Sequence, residues 1–162
     1  MPIAGKPQGY TAATPWIIGP DTRGLLAFMT DAFGATELAL VPNADGSVGH
    51  AEARIGDAIV MGFDRPKGWP STPAFIRLFV ADADVAFKSA IAAGAEPITD
   101  VTLLAFGDRV GRVRDPFGNV WWLQTHVEDV GEADMAARRD EPKWVKSMAY
   151  VQQSLEQALQ AN

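Results

Sequence analysis

The chain has no cysteine, which excludes disulfides, zinc–thiolate sites and cysteine nucleophiles. Basic charge is also short: 14 Lys and Arg stand against 20 Asp and Glu, a net charge of −6. Phosphate binding wants a basic face, so nucleic acid is not an expected partner. No run approaches the roughly 20 apolar residues of a membrane helix, so a membrane is not expected either. The stretch Met1 to Tyr10 holds Pro, Gly and Lys without an apolar segment of signal-peptide length. A cytoplasmic location is the resulting expectation. What the chain does have is core-forming material: 162 residues, 48% of them hydrophobic, enough for one compact domain.

Two halves read on one plan, a strand, a helix and then further strands. In the first, Pro15–Ile18 is a short strand and Arg23–Ala32 a helix with Leu25, Leu26, Phe28, Met29 and Ala32 on one side. Asp21 or Thr22 can cap that helix, and Gly34 ends it. Strands follow near Thr36–Val41, Gly49–Ile55 and Ala58–Phe63. The Pro- and Gly-bearing stretch 64–73 reads as a linker. The second half restarts with a strand at Ala74–Val80 and a helix at Ala83–Ala93, stopped by Gly94. Strands at Glu96–Thr99, Val101–Phe106, Arg109–Asp115 and Val120–His126 complete it. Matching landmarks (Phe28, Gly34 and Ala35 against Phe87, Gly94 and Ala95) suggest a duplication with a period of about 60 residues. The predicted units are 14–63, the linker 64–73, 74–129 and a helical tail 130–162.

The run Arg114-Asp115-Pro116-Phe117-Gly118-Asn119 leads directly into Val120-Trp121-Trp122-Leu123-Gln124. Asp, Pro and Gly supply the turn geometry that delivers the backbone into an apolar strand. Together with the repeat, this stretch resembles the last strand of the vicinal oxygen chelate superfamily of glyoxalases, bleomycin-resistance proteins and dioxygenases. The phrases Gly49–Asp57, Phe106–Arg109, Arg112–Gly118 and Thr125–Val130 look like its PhnB-like branch. The resemblance implies an α+β fold of two paired βαβββ modules forming a cup-shaped mixed sheet. In metalloenzymes of that superfamily the first and fourth strands of each module donate the metal ligands. Carried onto this chain, those positions fall at Thr14, Met61, Phe75 and Trp122. None is His or Glu, and one hydroxyl does not replace a set of imidazole and carboxylate donors. No metal and no cofactor are therefore expected.

Strand alternation places Ile76 and Leu78 on one side and Phe75, Arg77 and Phe79 on the other. The parity of the superfamily's ligand positions gives a predicted cup lining of Thr14, Trp16, Met61, Phe63, Phe75, Arg77, Phe79, Trp122 and Gln124. Aromatic rings with one Arg and one Gln suit a planar or aromatic small molecule. Arg77 either meets an acidic residue such as Glu52 or awaits a ligand. His50, Glu52 and His126 are candidates for acid–base work, or for a non-standard metal, against the plainer reading of a solvent-facing polar strand. Asp108, Arg109, Arg112, Arg114 and Asp115 read as an ion-paired hairpin, with an anion site as the alternative. In the tail, Glu132–Arg139 is a short helix, and Trp144, Met148, Val151, Leu155 and Leu159 recur at helical spacing. Proteins of this resemblance commonly pair as two-fold dimers, so a homodimer with the tail contributing is expected. The function expected is a metal-independent small-molecule binder of the bleomycin-resistance type. A lyase or isomerase acting through His50, Glu52 or His126 is the alternative.

Overall fold

A computed structural model describes residues 5–161, so the residues at 1–4 and Asn162 of the predicted tail lie outside the described residues. The chain runs β1 (Trp16–Gly19), α1 (Thr22–Phe33), β2 (Thr36–Pro42), β3 (Val48–Ile55) and β4 (Ala58–Asp64) in its first half. The second half repeats this as β5 (Phe75–Phe79), α2 (Ala83–Ala92), β6 (Glu96–Leu103), β7 (Asp108–Arg114) and β8 (Val120–His126). The tail holds α3 (Glu132–Arg138) and α4 (Pro142–Gln160). Each half makes one four-stranded sheet, ordered β1-β4-β3-β2 and β5-β8-β7-β6. In each, the first strand pairs in parallel with the fourth and the remaining pairs are antiparallel. The fold is therefore α+β, two βαβββ modules with a helical tail. Among the described residues no helix is long and apolar enough to cross a membrane.

Both module helices start on an Asp cap. Asp21 accepts from the Gly24 N–H at 2.9 Å and Asp82 from the Val85 N–H at 3.0 Å. Gly34 closes α1 with φ 66°, a left-handed conformation that a Cβ would disfavour. The predicted stripe Leu25, Leu26, Phe28, Met29 and Ala32 is buried. One core joins the halves: it runs from Ile17, Phe28 and Val60 to Ile76, Ala90, Trp121 and Leu123. At its centre the Trp121 ring lies 5.0 Å from Phe33 and 6.4 Å from Phe28, so a helix of the first module packs on a strand of the second.

Two carboxylates fix the chain where strands meet helices and turns. Asp64 accepts from the N–H groups of Val48 and Thr22, each at 2.7 Å. Burial alone would raise its pKa, but those donors outweigh the burial and hold it below the usual carboxylate value. Asp115, in the Asp-Pro-Phe-Gly turn, accepts four hydrogen bonds. They come from Phe117 N, Asn119 N and Trp121 Nε1 at 2.9 Å, and from Asn119 Nδ2 at 2.8 Å.

Two sequence readings are corrected. The strands expected at Glu96–Thr99 and Val101–Phe106 are one strand, β6, which ends at Leu103. Register shifts at Pro97/Thr99 and Thr99/Thr102 carry the pairing with β7 past Asp100. The Asp100 N–H donates to the Tyr150 hydroxyl on α4 at 2.9 Å. The hairpin charges also do not pair among themselves. Arg109 reaches Asp84 on α2 at 2.8 Å, Arg114 donates to the Ala158 carbonyl at 2.6 Å, and Asp115 serves its own turn. The middle of the α4 stripe packs on its own chain, while Leu159 at its end is exposed. Val151 is buried with Leu104 and Val110, with Met148 and Trp122 against them, on the sheet face opposite α2.

Candidate functional site

The helices α1 and α2 cover one face of the sheets; the other face of the first sheet is open, and that of the second is partly covered by α4. On the first sheet the open face carries Trp16, His50, Glu52, Met61 and Phe63. Met61 sits in register between Trp16 of β1 and Glu52 of β3. Phe63 meets Trp16 edge-on at 5.7 Å and Trp69 at 6.2 Å, while Trp16 tilts against His50 at 5.8 Å. Thr14 is half-buried, just before β1. His50 Nε2 lies 2.8 Å from Glu52 Oε1, and the Tyr10 hydroxyl donates to Glu52 Oε2. The Tyr10 and His50 hydrogen bonds, in that order, hold the Glu52 carboxyl below its usual range. Glu52 is thus committed to Tyr10 and His50.

On the second sheet the equivalent row is Arg77, Trp122 and Arg112, in register across β5, β8 and β7. The Arg112 guanidinium lies 3.9 Å from the Trp122 ring centroid and that of Arg77 lies 4.7 Å from it. Arg112 is only 3% exposed. Its Nη1 donates to Thr99 Oγ1 at 3.0 Å and to the Val151 carbonyl at 2.5 Å. Burial, and then the charge of Arg77, push its pKa down to about 10. Among the described residues no carboxylate pairs with Arg77 or Arg112. Phe75 and Phe79 flank Arg77 along β5 and are 55% and 69% exposed. Gln124 is buried, and its amide donates to Asp108.

His126 stands apart from His50 and Glu52. Its Nδ1 lies 2.6 Å from Asp108 and its Nε2 2.9 Å from Asp129. Those carboxylates, Asp129 first, raise its pKa above 6.5 and favour the imidazolium. Sequence reasoning missed Tyr10 and Trp69, which lie outside the repeat's strands and carry no positional signal. It also read Arg112 as a hairpin charge, although strand parity places Arg112 beside Trp122.

The fit to a metal can be judged on donors. Thr14, Met61, Phe75 and Trp122 offer one hydroxyl, one thioether and two rings, which do not make a divalent site of the usual kind. Among the described residues, no three His, Asp or Glu side chains gather as a metal-binding group.

Paired βαβββ modules whose open faces carry aromatic rings define a cup-forming α+β protein of the glyoxalase type. The family comparison agrees: residues 9–123 match the model of the Glyoxalase/Bleomycin resistance protein/Dioxygenase superfamily, and the chain belongs to it. The Mycobacterium tuberculosis protein Rv0887c is 35% identical over 137 residues, covering 78% of this chain and 81% of its own length. Among solved structures, TioX from Micromonospora sp. ML1 is 26% identical with a TM-score of 0.61, over 72% of this chain and 99% of that one. A PhnB protein from Bacillus cereus shares the fold at 16% identity and a TM-score of 0.55, over 71% of this chain and 99% of that one.

Proposed function

We propose that this protein binds and sequesters planar or aromatic small molecules in an aromatic-lined cup, without a metal ion. The observation that carries the reading is the exposure of rings on the two open faces: Trp16 is 47% exposed, and Phe75 and Phe79 more so. Rings that served only as core would be buried in the folded chain. An apolar surface of this kind is covered by a ligand, by a second subunit, or by both. The reading includes a homodimer in which a second copy closes the cup over the ligand.

A thermal-shift screen of planar heteroaromatic compounds tests it. Stabilisation by a subset of planar compounds, lost in Trp16→Ala or Phe75→Ala, is the expected result. Equal stabilisation of the wild type and both variants would contradict it. Sedimentation equilibrium checks the dimer. Mass-spectrometric metal analysis, after growth with added zinc, iron, nickel and manganese, checks the metal: a stoichiometric ion would overturn that part of the reading.

One arrangement supports a second reading, an acid–base lyase or isomerase. The Tyr10–Glu52–His50 chain holds an imidazole beside Trp16 with its Nε2 fixed by a carboxylate, the arrangement a general base needs. Turnover abolished in His50→Ala, with ligand binding intact, would favour the enzyme over the binder.

A further inference from the structure

The second sheet and α4 border two spaces, both open to solvent, that share a wall made by Arg112 and Trp122. One, of about 290 Å³, is bounded by Arg77, Arg112, Trp122 and Gln124, with Leu104 and Met148 opposite. The other, of about 510 Å³, runs from Arg112 and Trp122 along Leu155 and Leu159 of α4, with Gln152, Glu156 and Gln160 completing its lining. Two N–H donors in this wall, Arg112 Nε and Trp122 Nε1, are buried and have no hydrogen-bond partner among the described residues. Buried donors are normally satisfied, and a buried guanidinium normally has an acceptor anion. Here two guanidiniums face one indole ring with no carboxylate paired to either among the described residues, and the charge of Arg77 disfavours that of Arg112.

Burying this charge beside a second one is costly, and an anion would offset that cost. Cation–π contact with Trp122 and the two acceptors of Arg112 Nη1 offset part of the cost of burying that charge. They leave the Nε, the indole N–H and the like-charge pair uncompensated. A carboxylate in the space that Arg77, Arg112 and Trp122 line together would offset the like-charge pair and offer an acceptor to Arg112, since a guanidinium matches its two oxygens in a fork. The neighbouring leucines and the ring face suit an apolar body attached to that carboxylate.

We propose that this wall is an organic-acid site: Arg77 and Arg112 hold the carboxylate of a ligand whose planar apolar part lies along Trp122 under α4. The proposal rests on the binding function above and names the chemical class of its ligand. Arg77 is a specificity residue, exposed enough to replace without disturbing the fold. Arg112 both fixes α4 and completes the anion site.

Isothermal titration with 1-naphthoate and its neutral amide, on wild-type protein and on Arg77→Gln, separates the possibilities. Expected is naphthoate binding at least about tenfold tighter than the amide, with that preference largely lost in Arg77→Gln at an unchanged melting temperature. Equal affinity for acid and amide, or a preference that survives Arg77→Gln, overturns the organic-acid site and leaves the binding function standing. No saturable binding of either compound up to about 1 mM overturns both.

Discussion

At the scale of single residues, Asp115 is committed to its own turn, while Arg77 and Arg112 flank Trp122 with no carboxylate paired to either among the described residues. Asp115 receives four donors from one short turn. Asp115→Ala leaves those donors without an acceptor and is expected to lower unfolding free energy by about 3 kcal/mol or more, measured by urea denaturation. Asp115→Asn, which keeps one acceptor oxygen, should lose less. For His126, the Asp129 and Asp108 contacts raise the folded pKa above 6.5. The contribution of this cluster to stability is therefore full below the unfolded value and lost as pH rises through the folded one. An NMR titration should place the His126 midpoint above 6.5, and Asp129→Asn should bring it down. A midpoint unmoved by Asp129→Asn would contradict the assignment. The turn role of Asp115 was legible in the Asp-Pro-x-Gly pattern. The partners of Arg112 were not, because Val151 lies 39 residues further along the chain.

At the scale of elements, periodicity carried most of the reading. Alternation separated Ile76 and Leu78, which are buried, from Phe75, Arg77 and Phe79, which are not. The α1 stripe and its Asp and Gly ends were equally plain, since capping and amphipathicity are local properties. The reading failed at β6, where Asp100 looked like a break. A bulged strand keeps its partner through contacts that a local pattern does not encode. The stripe on α4 was visible as well, but the surface it covers was not, because amphipathicity shows that a face is buried and not against what. Val151 is the buried centre of that contact. Val151→Ala removes two methyl groups from it and is expected to cost about 2 kcal/mol. It should also shift the fluorescence of the adjacent Trp122. A loss well under 0.5 kcal/mol, inside the range of an ordinary surface substitution, would place α4 elsewhere.

At the scale of the whole molecule, duplication has given two sheets of one topology and faces of opposite character. At matching positions the first presents Trp16, Met61 and Glu52, the second Arg77, Trp122 and Arg112. One scaffold thus offers an acidic aromatic face with its own histidine and a cationic aromatic face roofed by a helix. The paired βαβββ modules were legible through the repeat and the resemblance of the Asp-Pro-Phe-Gly turn and last strand to the superfamily. The character of each face came only with the contacts of Tyr10 and α4, which lie outside the repeat.

The central claim is that these aromatic faces bind planar compounds without a metal ion. Its most direct test is a tryptophan-fluorescence titration of the purified protein with a planar aromatic acid, run with and without EDTA. Saturable quenching with the same dissociation constant in both is the predicted result. Quenching that disappears with EDTA and returns on adding a divalent ion would contradict it.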